Sequence, residues 1–178
     1  MLMRAASFYI GIVLLLLTSA CSSVRSGGNR YVDTFYKGKG NILFHVNAFR
    51  LPSNKKNPDV VIDFTYNYTK DSTQNVSILF SLVGKQFIKG PYKTYLQQVA
   101  VDSLYLMFAE IRGRKYLTRL AGSIPFSTFD SIFQNSNIDF TIHHDKGLID
   151  IQAARKWKKV AHHIRIDMLD VIRLTEAQ

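Results

Sequence analysis

The sequence contains a single cysteine, Cys21, among its 178 residues, and this excludes an intramolecular disulfide. Stability must therefore come from packing. The chain carries 12 Phe and 9 Tyr for this purpose, and each of these side chains buries about 150–250 Å². Acidic residues are also few, because 13 Asp and Glu stand against 23 Lys and Arg, a formal net charge of +10. Such a charge favours contact with anionic lipid, acidic polysaccharide or nucleic acid.

Long hydrophobic runs are missing as well, apart from one apolar stretch at residues 8–17. It is too short for a membrane span, which needs about 20 residues. Arg4 precedes the stretch, and Thr18, Ser19 and Ala20 follow it directly before Cys21. A positive start, a short apolar segment and small residues at its end are typical of a secretory signal peptide.

A cysteine placed directly after these small residues resembles the lipobox of bacterial lipoproteins. The resemblance implies that residues 1–20 are removed and that the Cys21 thiol carries diacylglycerol, with palmitate among the acyl chains. It also implies delivery to the outer membrane rather than the inner one, because Ser22 is not the aspartate that retains enterobacterial lipoproteins at the inner membrane. The alternative is a plain secretory cleavage site in which Cys21 is an ordinary residue.

Behind the signal peptide the sequence predicts one domain. Residues 21–30 contain mainly Ser, Gly and other polar residues, which is the composition of a flexible tether. The segment 31–178 has no internal repeat and no second linker, and its size is natural for a single domain with a sizeable core. We therefore expect a lipidated tether at 21–30 and a folded domain at 31–178.

The middle of the chain alternates between apolar and polar residues. The apolar positions are Val60, Ile62, Phe64, Tyr66 and Tyr68 in one run and Val76, Ile78, Phe80 and Leu82 in the next. This period of two is typical of half-buried strands. Further strands are expected at 42–48, 104–108 and 115–120. The short connections between them favour antiparallel pairing, because parallel crossovers need longer segments.

The last third of the chain changes to helical spacing. A short helix carrying Phe129 and Phe133 is expected after Pro125, with Ser127 and Asp130 as its capping pair. Two strands follow at about 138–142 and 148–151, and a long amphipathic helix covers about 153–174. The predicted fold class is α+β: an antiparallel β-sheet meander with a short helix and a long C-terminal amphipathic helix. A β-sandwich with a peripheral helix is the alternative.

No residue pattern predicts a catalytic site, a cofactor or a metal. The pair His143–His144 lies on a predicted strand, where neighbouring side chains point to opposite faces. The pair His162–His163 lies on a predicted helix, where neighbours diverge by about 100°. The sequence also has no Gly-x-Ser-x-Gly elbow and no phosphate-binding loop. Carboxylates brought together from distant strands are the one remaining route to hydrolase activity.

Two features of the sequence suggest surface roles. Basic residues in the C-terminal helix are candidates for contact with a membrane surface: Arg155, Lys156, Lys158, Lys159 and Arg165. Each cation contributes about 1 kcal/mol near anionic lipid, and a solvated helix face is the competing interpretation. Separately, Asp71-Ser72-Thr73 resembles the short Asp-Ser/Thr pattern of O-glycosylation in Bacteroidota, which makes Ser72 a candidate in a predicted turn.

These observations favour an envelope protein that binds rather than catalyses. Nucleic acid is not expected as a partner, because the chain is exported and has no recognition helix or zinc-finger spacing. We expect a non-catalytic accessory subunit that presents a sheet face or edge to another envelope protein. The alternative is a carrier or sensor of an apolar or glycan ligand in an aromatic cleft. The tyrosines considered for such a cleft are Tyr66, Tyr68, Tyr92, Tyr95 and Tyr105.

Overall fold

The computed structural model describes residues 31–177 except 39, 52–57, 71–73, 136 and 154. Within these residues the strands are β1 (Val32–Gly38), β2 (Asn41–Leu51), β3 (Asp59–Tyr68), β4 (Val76–Gly84), β5 (Lys93–Leu96), β6 (Val99–Ala100), β7 (Asp102–Arg112), β8 (Lys115–Ile124), β9 (Ile138–His144) and β10 (Gly147–Ala153). The helices are α1 (Phe126–Gln134), α2 (Arg155–Ile164) and α3 (Asp170–Glu176). A π-helical turn, Arg165–Leu169, joins α2 to α3, and we call these three segments together the C-terminal helix.

The strands form two antiparallel sheets. One has six strands in the order β1-β2-β3-β4-β8-β7, and the other has four in the order β10-β9-β5-β6. The first four strands of the large sheet are sequential neighbours, as short connections between antiparallel strands require. The predicted α+β class is therefore confirmed, and β1 and β7 are the edges of the large sheet.

The core lies between the large sheet and a second layer, which contains α1, the C-terminal helix and the small sheet. Phe64 on β3 meets Phe129 and Phe133 of α1 with ring centroids 5.1 and 5.7 Å apart. Phe49 on β2 lies 5.8 Å from the ring of Trp157. The C-terminal helix is not peripheral, because Trp157 and Ile164 are buried in this core. The condition for the sandwich alternative is thus not met.

Helix α1 begins differently from the prediction. It starts at Phe126 directly after Pro125, and no side chain caps it. Ser127 is an exposed residue inside the helix, so the expected capping pair was wrong. Asp130 instead accepts hydrogen bonds from Gln134 Nε2 at 2.9 Å and from Arg173 Nη2 at 2.7 Å. The ion pair with Arg173 ties α1 to α3.

Candidate interaction surface

Strand β7 carries the largest group of exposed apolar side chains on the described part of the chain. Between Asp102 and Glu110 it has no charged residue. The exposed fractions are 58% for Tyr105, 42% for Leu106, 46% for Met107, 39% for Phe108 and 67% for Ile111. Exposed apolar residues scattered singly are ordinary, whereas a contiguous group marks an interaction site. We call Tyr105, Leu106, Met107 and Phe108 the β7 patch.

The position of β7 at the sheet edge explains this exposure. Its only strand neighbour among the described residues is β8, on which Leu120 is fully buried. Leu106 lies directly opposite Leu120 and faces the same side of the sheet. Leu106 nevertheless stays exposed at the sheet edge, whereas Leu104, nearer the start of β7, packs against the core. The same row of side chains is therefore core at β8 and surface at β7.

Two β-bulges shape the patch. The register between β7 and β8 shifts between Asp102 and Tyr105 and again between Leu106 and Phe108. A bulge adds one residue to a strand, so the side chains beyond it change face. We call the face of the large sheet that packs on the second layer the inner face and the other one the open face. Tyr105 and Phe108 consequently both lie on the open face, and Leu106 lies on the inner face. The bulges also interrupt the outer edge of the backbone. This edge therefore presents side chains rather than a long run of regularly spaced backbone groups.

The start of β7 is held in place by close packing. Val101 is buried in the core, and its N–H donates to the Thr94 carbonyl oxygen at 2.8 Å. Gly122 on β8 leaves the space that Val101 fills. A Cβ atom at Gly122 would lie 2.5 Å from Val101 Cγ1 and 3.0 Å from the Asp102 carbonyl oxygen. Only glycine at this position allows β7 to approach β8 in this way.

A charged group lies on the open face beside the patch. Arg119 donates from Nη2 to Asp63 Oδ2 at 2.9 Å and from Nη1 to Ser81 Oγ at 2.6 Å. The Asp63 side chain is 4% exposed and that of Arg119 is 26% exposed. Asp63 Oδ1 has no hydrogen-bond partner among the residues that the structure describes. Arg119 is therefore the group that compensates a buried carboxylate, and it lies directly opposite Phe108 in the ladder.

Cations gather at the end of the large sheet where β7 finishes. We call this surface the basic end, and its exposed cations are Arg50, Lys85, Arg112, Arg114 and Lys115. Asp59 forms an ion pair with Arg50 and lies 3.8 Å from Lys115 Nζ. Arg112 Nε donates to Glu110 Oε1 at 2.5 Å. The hydrogen bond to Asp59, together with its charge, raises the pKa of the Arg50 guanidinium. Among the described residues, five cations and two carboxylates give this end a charge of +3 (5 − 2).

The residues predicted for lipidation and glycosylation lie outside the described residues. This applies to Cys21 and to Ser72, so both stay predictions. Of the basic residues predicted to contact a membrane, Lys158, Lys159 and Arg165 are exposed on the C-terminal helix. The side chains of Arg155 and Lys156 are not described. The three exposed cations meet a condition for contact with lipid, and they equally fit a solvated helix face.

The tyrosines proposed to line a ligand cleft lie in different parts of the fold. Tyr66 and Tyr68 are buried in the core under the large sheet, and burial raises the pKa of Tyr66. Tyr92 donates its hydroxyl proton to the Ile88 carbonyl oxygen at 2.6 Å. Tyr95 packs edge-on against His143 in the small sheet, with ring centroids 5.7 Å apart. Tyr105 is on β7 and is the only one of the five that is exposed, because Tyr92 and Tyr95 are half-buried.

The histidines contact neighbouring polar and aromatic side chains. His45 Nδ1 is 3.1 Å from Thr65 Oγ1, and His144 Nδ1 is 3.3 Å from Asp145 Oδ1. His163 stacks on Tyr31 with ring centroids 4.9 Å apart. The rings of His162 and His163 are 5.8 Å apart. Among the described residues, no group of three or more His, Cys, Asp or Glu is placed to hold a metal ion.

The β7 patch was not predicted from the sequence. A strand was predicted at this place, and Tyr105 was the one patch residue given a role, in the alternative aromatic cleft. The signal was present, because residues 104–108 are apolar without alternation. Continuous apolar runs are typical of strands that are covered on both faces. The pattern therefore indicates two faces that need covering, and it does not say whether this chain or another molecule covers them.

Comparison with known proteins adds no relative. No protein-family profile, no curated protein and no solved structure matches this chain. The described helices include none with the length and apolar character that crossing a bilayer requires. The surfaces of the domain are therefore the basis for assigning its function.

Proposed function

We propose that this protein is an envelope lipoprotein, tethered through acylated Cys21, which acts as a non-catalytic accessory subunit. Its β7 patch binds another envelope protein. The observation that carries the proposal is the exposure of Tyr105, Leu106, Met107 and Phe108 on an edge strand that the described residues leave partly uncovered. The tether supports it, because it keeps the domain near membrane assemblies where the partner resides.

The energetics favour a partner on this strand. Removing apolar surface from water contributes about 25 cal/mol per Å², and four adjacent side chains of the patch offer such surface. A partner that covers both faces of β7 also protects an edge that otherwise promotes aggregation. Because the bulges leave few regularly spaced backbone groups, the complementary surface is expected to be an apolar groove that receives Met107 and Phe108.

The other edge of the large sheet is a weaker candidate and a natural control. On β1, Phe35 and Tyr36 are 47% and 69% exposed. The residues that surround them on this strand, Thr34 and Lys37, are polar. An exposed tyrosine therefore exists on each edge, one inside the apolar patch and one outside it.

The test is photo-cross-linking in living cells. A photo-reactive phenylalanine analogue replaces Tyr105 in one strain and Tyr36 in another. We expect one envelope protein to be captured in high yield from position 105 and not from position 36. The same capture is expected to disappear in the Cys21→Ala variant and to fall in the Met107→Glu variant. Met107→Glu adds charge to the patch without removing a core side chain.

The proposal is contradicted by two results. In the first, position 105 gives no adduct although the protein is present in the membrane. In the second, positions 36 and 105 capture the same set of proteins, which indicates random collision. If position 105 captures the partner equally well in Cys21→Ala, the docking part stands and the role assigned to the tether is wrong.

A further inference from the structure

The course of the chain shows which end of the domain receives the tether. In β1, Val32 lies opposite Val46 and Gly38 lies opposite Asn41. The chain therefore enters β1 from the end of the sheet at which β2 finishes with Leu51. A hydrogen bond from Asn47 N–H to the Tyr31 carbonyl oxygen at 2.8 Å continues this pairing outward.

The basic end is at this same end of the strands. The registers place Leu51, Val60, Leu82, Thr118 and Ala109 in one row across five strands. Beyond this row, away from the sheet centre, come Ile111 and the turn that joins β7 to β8. Arg112, Arg114 and Lys115 thus lie toward the end of the sheet at which β1 begins.

The tether limits how far Tyr31 can lie from the membrane. Ten residue steps separate Cys21 from Tyr31, and a fully extended chain of that length reaches about 35 Å. Ile111 adds a second feature. It is an apolar side chain, 67% exposed, and directly precedes Arg112. Apolar side chains among cations suit a lipid surface, where they enter the interface while the cations meet the head groups.

We propose that the basic end of the large sheet faces a bilayer surface that contains anionic lipid. The inference rests on the tether of the proposed function, and it differs from the earlier expectation that the C-terminal helix makes this contact. The charge of +3 at this end complements anionic head groups. At the opposite end, the described cations Lys37 and Lys70 stand against Asp102, so the excess of positive charge is smaller there.

This orientation defines where the partner sits. The β7 strand runs toward the membrane, and five residue steps of about 3.3 Å each place Met107 about 16 Å from Arg112. The β7 patch therefore begins just above the head groups. A partner that docks there is itself a membrane-bound protein with an apolar groove close to the bilayer.

The experiment measures which end of the lipidated protein meets the lipid. Acylation leaves Cys21 unreactive, so an introduced cysteine is the only free thiol for a fluorescent label. Ile111→Cys marks the basic end, Asn75→Cys marks the opposite end at an exposed position before β4, and Arg165→Cys marks the C-terminal helix. Each labelled protein is placed in phosphatidylcholine vesicles with or without phosphatidylglycerol, and brominated acyl chains serve as the quencher.

We expect quenching to be strongest at position 111 in vesicles with phosphatidylglycerol. It is expected to fall to the level of position 75 in pure phosphatidylcholine, at high salt, and in the variant Arg114→Glu with Lys115→Glu. Equal quenching at 111 and 75 overturns the inference. Quenching at 111 that is the same with and without phosphatidylglycerol overturns it as well. Stronger quenching at 165 than at 111 overturns it in favour of the helix.

Failure of the orientation is distinguishable from failure of the proposed function. Protein that separates from all vesicles contradicts the tether, and with it both proposals. Protein that stays bound but is quenched equally at both ends contradicts only the orientation. Loss of the cross-link at position 105, with the preferred quenching at 111 retained, contradicts only the docking role of the β7 patch.

Discussion

Arg119 compensates the buried negative charge of Asp63 on the open face of the large sheet. It is the ion-pair partner of Asp63, whose side chain is 4% exposed. Breaking a buried ion pair by removing one partner costs about 3–5 kcal/mol. The cost is expected to be smaller here, because the Arg119 guanidinium is partly exposed and water reaches the pair. We therefore predict that Arg119→Met lowers the free energy of unfolding by about 2–3 kcal/mol, measured by urea denaturation of the lipidated protein in detergent micelles.

The matched control removes the charge from both partners. In Asp63→Asn with Arg119→Met, no carboxylate is left without its cation, so part of the lost stability is expected to return. If the double variant is no more stable than Arg119→Met, or if Arg119→Met unfolds at the wild-type urea concentration, the ion pair does not have this role.

Residues of the inner face were predictable from the alternation alone. Ile62 and Phe64 were expected on the apolar face of their strand, and both are buried. Asp63 was expected on the polar face, which is correct, but it is almost as buried as its neighbours. Alternation reports the face on which a residue lies. It does not report that a long side chain from another strand, here Arg119, covers that face.

Among the elements, the start of β7 depends on a single glycine. A Cβ atom at Gly122 would lie 2.5 Å from Val101 Cγ1, so one of the two residues has to move. Overpacking of this kind costs about 1–3 kcal/mol. We predict that Gly122→Ala destabilises the protein by this amount and increases hydrogen exchange at the β7 amides more than at those of β3.

Val101 supplies the matched control for this prediction. Val101→Ala removes the Cγ atom that meets the new side chain. The combination with Gly122→Ala is therefore expected to be closer to wild type than the sum of the two single changes predicts. Additive losses would show that the contact between these two positions is not the cause.

The elements differ in how far the sequence predicted them. Strands β3 and β4 and both helical regions were expected close to their observed bounds, whereas β8 was expected to end at Leu120 and continues to Ile124. The hairpin of β5 and β6 was not, because its turn is made by Gln97 and Gln98 with φ of 51° and 66°. Such turns usually contain Asn or Gly. Here tertiary hydrogen bonds compensate, since the Gln97 N–H donates to the Asp139 carbonyl oxygen at 2.8 Å.

Edge strands define the second limit of prediction. Strand β1 mixes polar and apolar residues, since it has only one neighbour and little of it is covered. Strand β7 has the opposite character, and its apolar residues gave the correct secondary structure. Its place at an edge follows from the order in which strands assemble, which one strand sequence does not encode. The β7 patch was therefore visible only after the sheet order was known.

At the scale of the whole molecule, aromatic contacts join the two layers into one core. Phe64 links β3 to α1, and Phe80 on β4 lies 4.9 Å from Phe140 of the small sheet. Trp157 contacts Phe49 and Phe133 and donates its Nε1 proton to the Asn135 carbonyl oxygen at 3.1 Å. Because α1, α2 and the small sheet each contribute a ring that contacts the large sheet, separate unfolding of one layer would expose apolar surface on both.

The final prediction concerns cooperativity. The only tryptophan of the chain is Trp157, which is 1% exposed, and its fluorescence reports the second layer. Far-ultraviolet circular dichroism reports mainly the sheets. We expect both signals to change at the same urea concentration, as a two-state domain requires. Phe64→Ala is expected to shift both transitions together by about 3–5 kcal/mol, whereas Phe35→Ala, at an exposed edge position, changes stability by less than about 0.5 kcal/mol. Transitions that separate in Phe64→Ala would show that the two layers unfold independently.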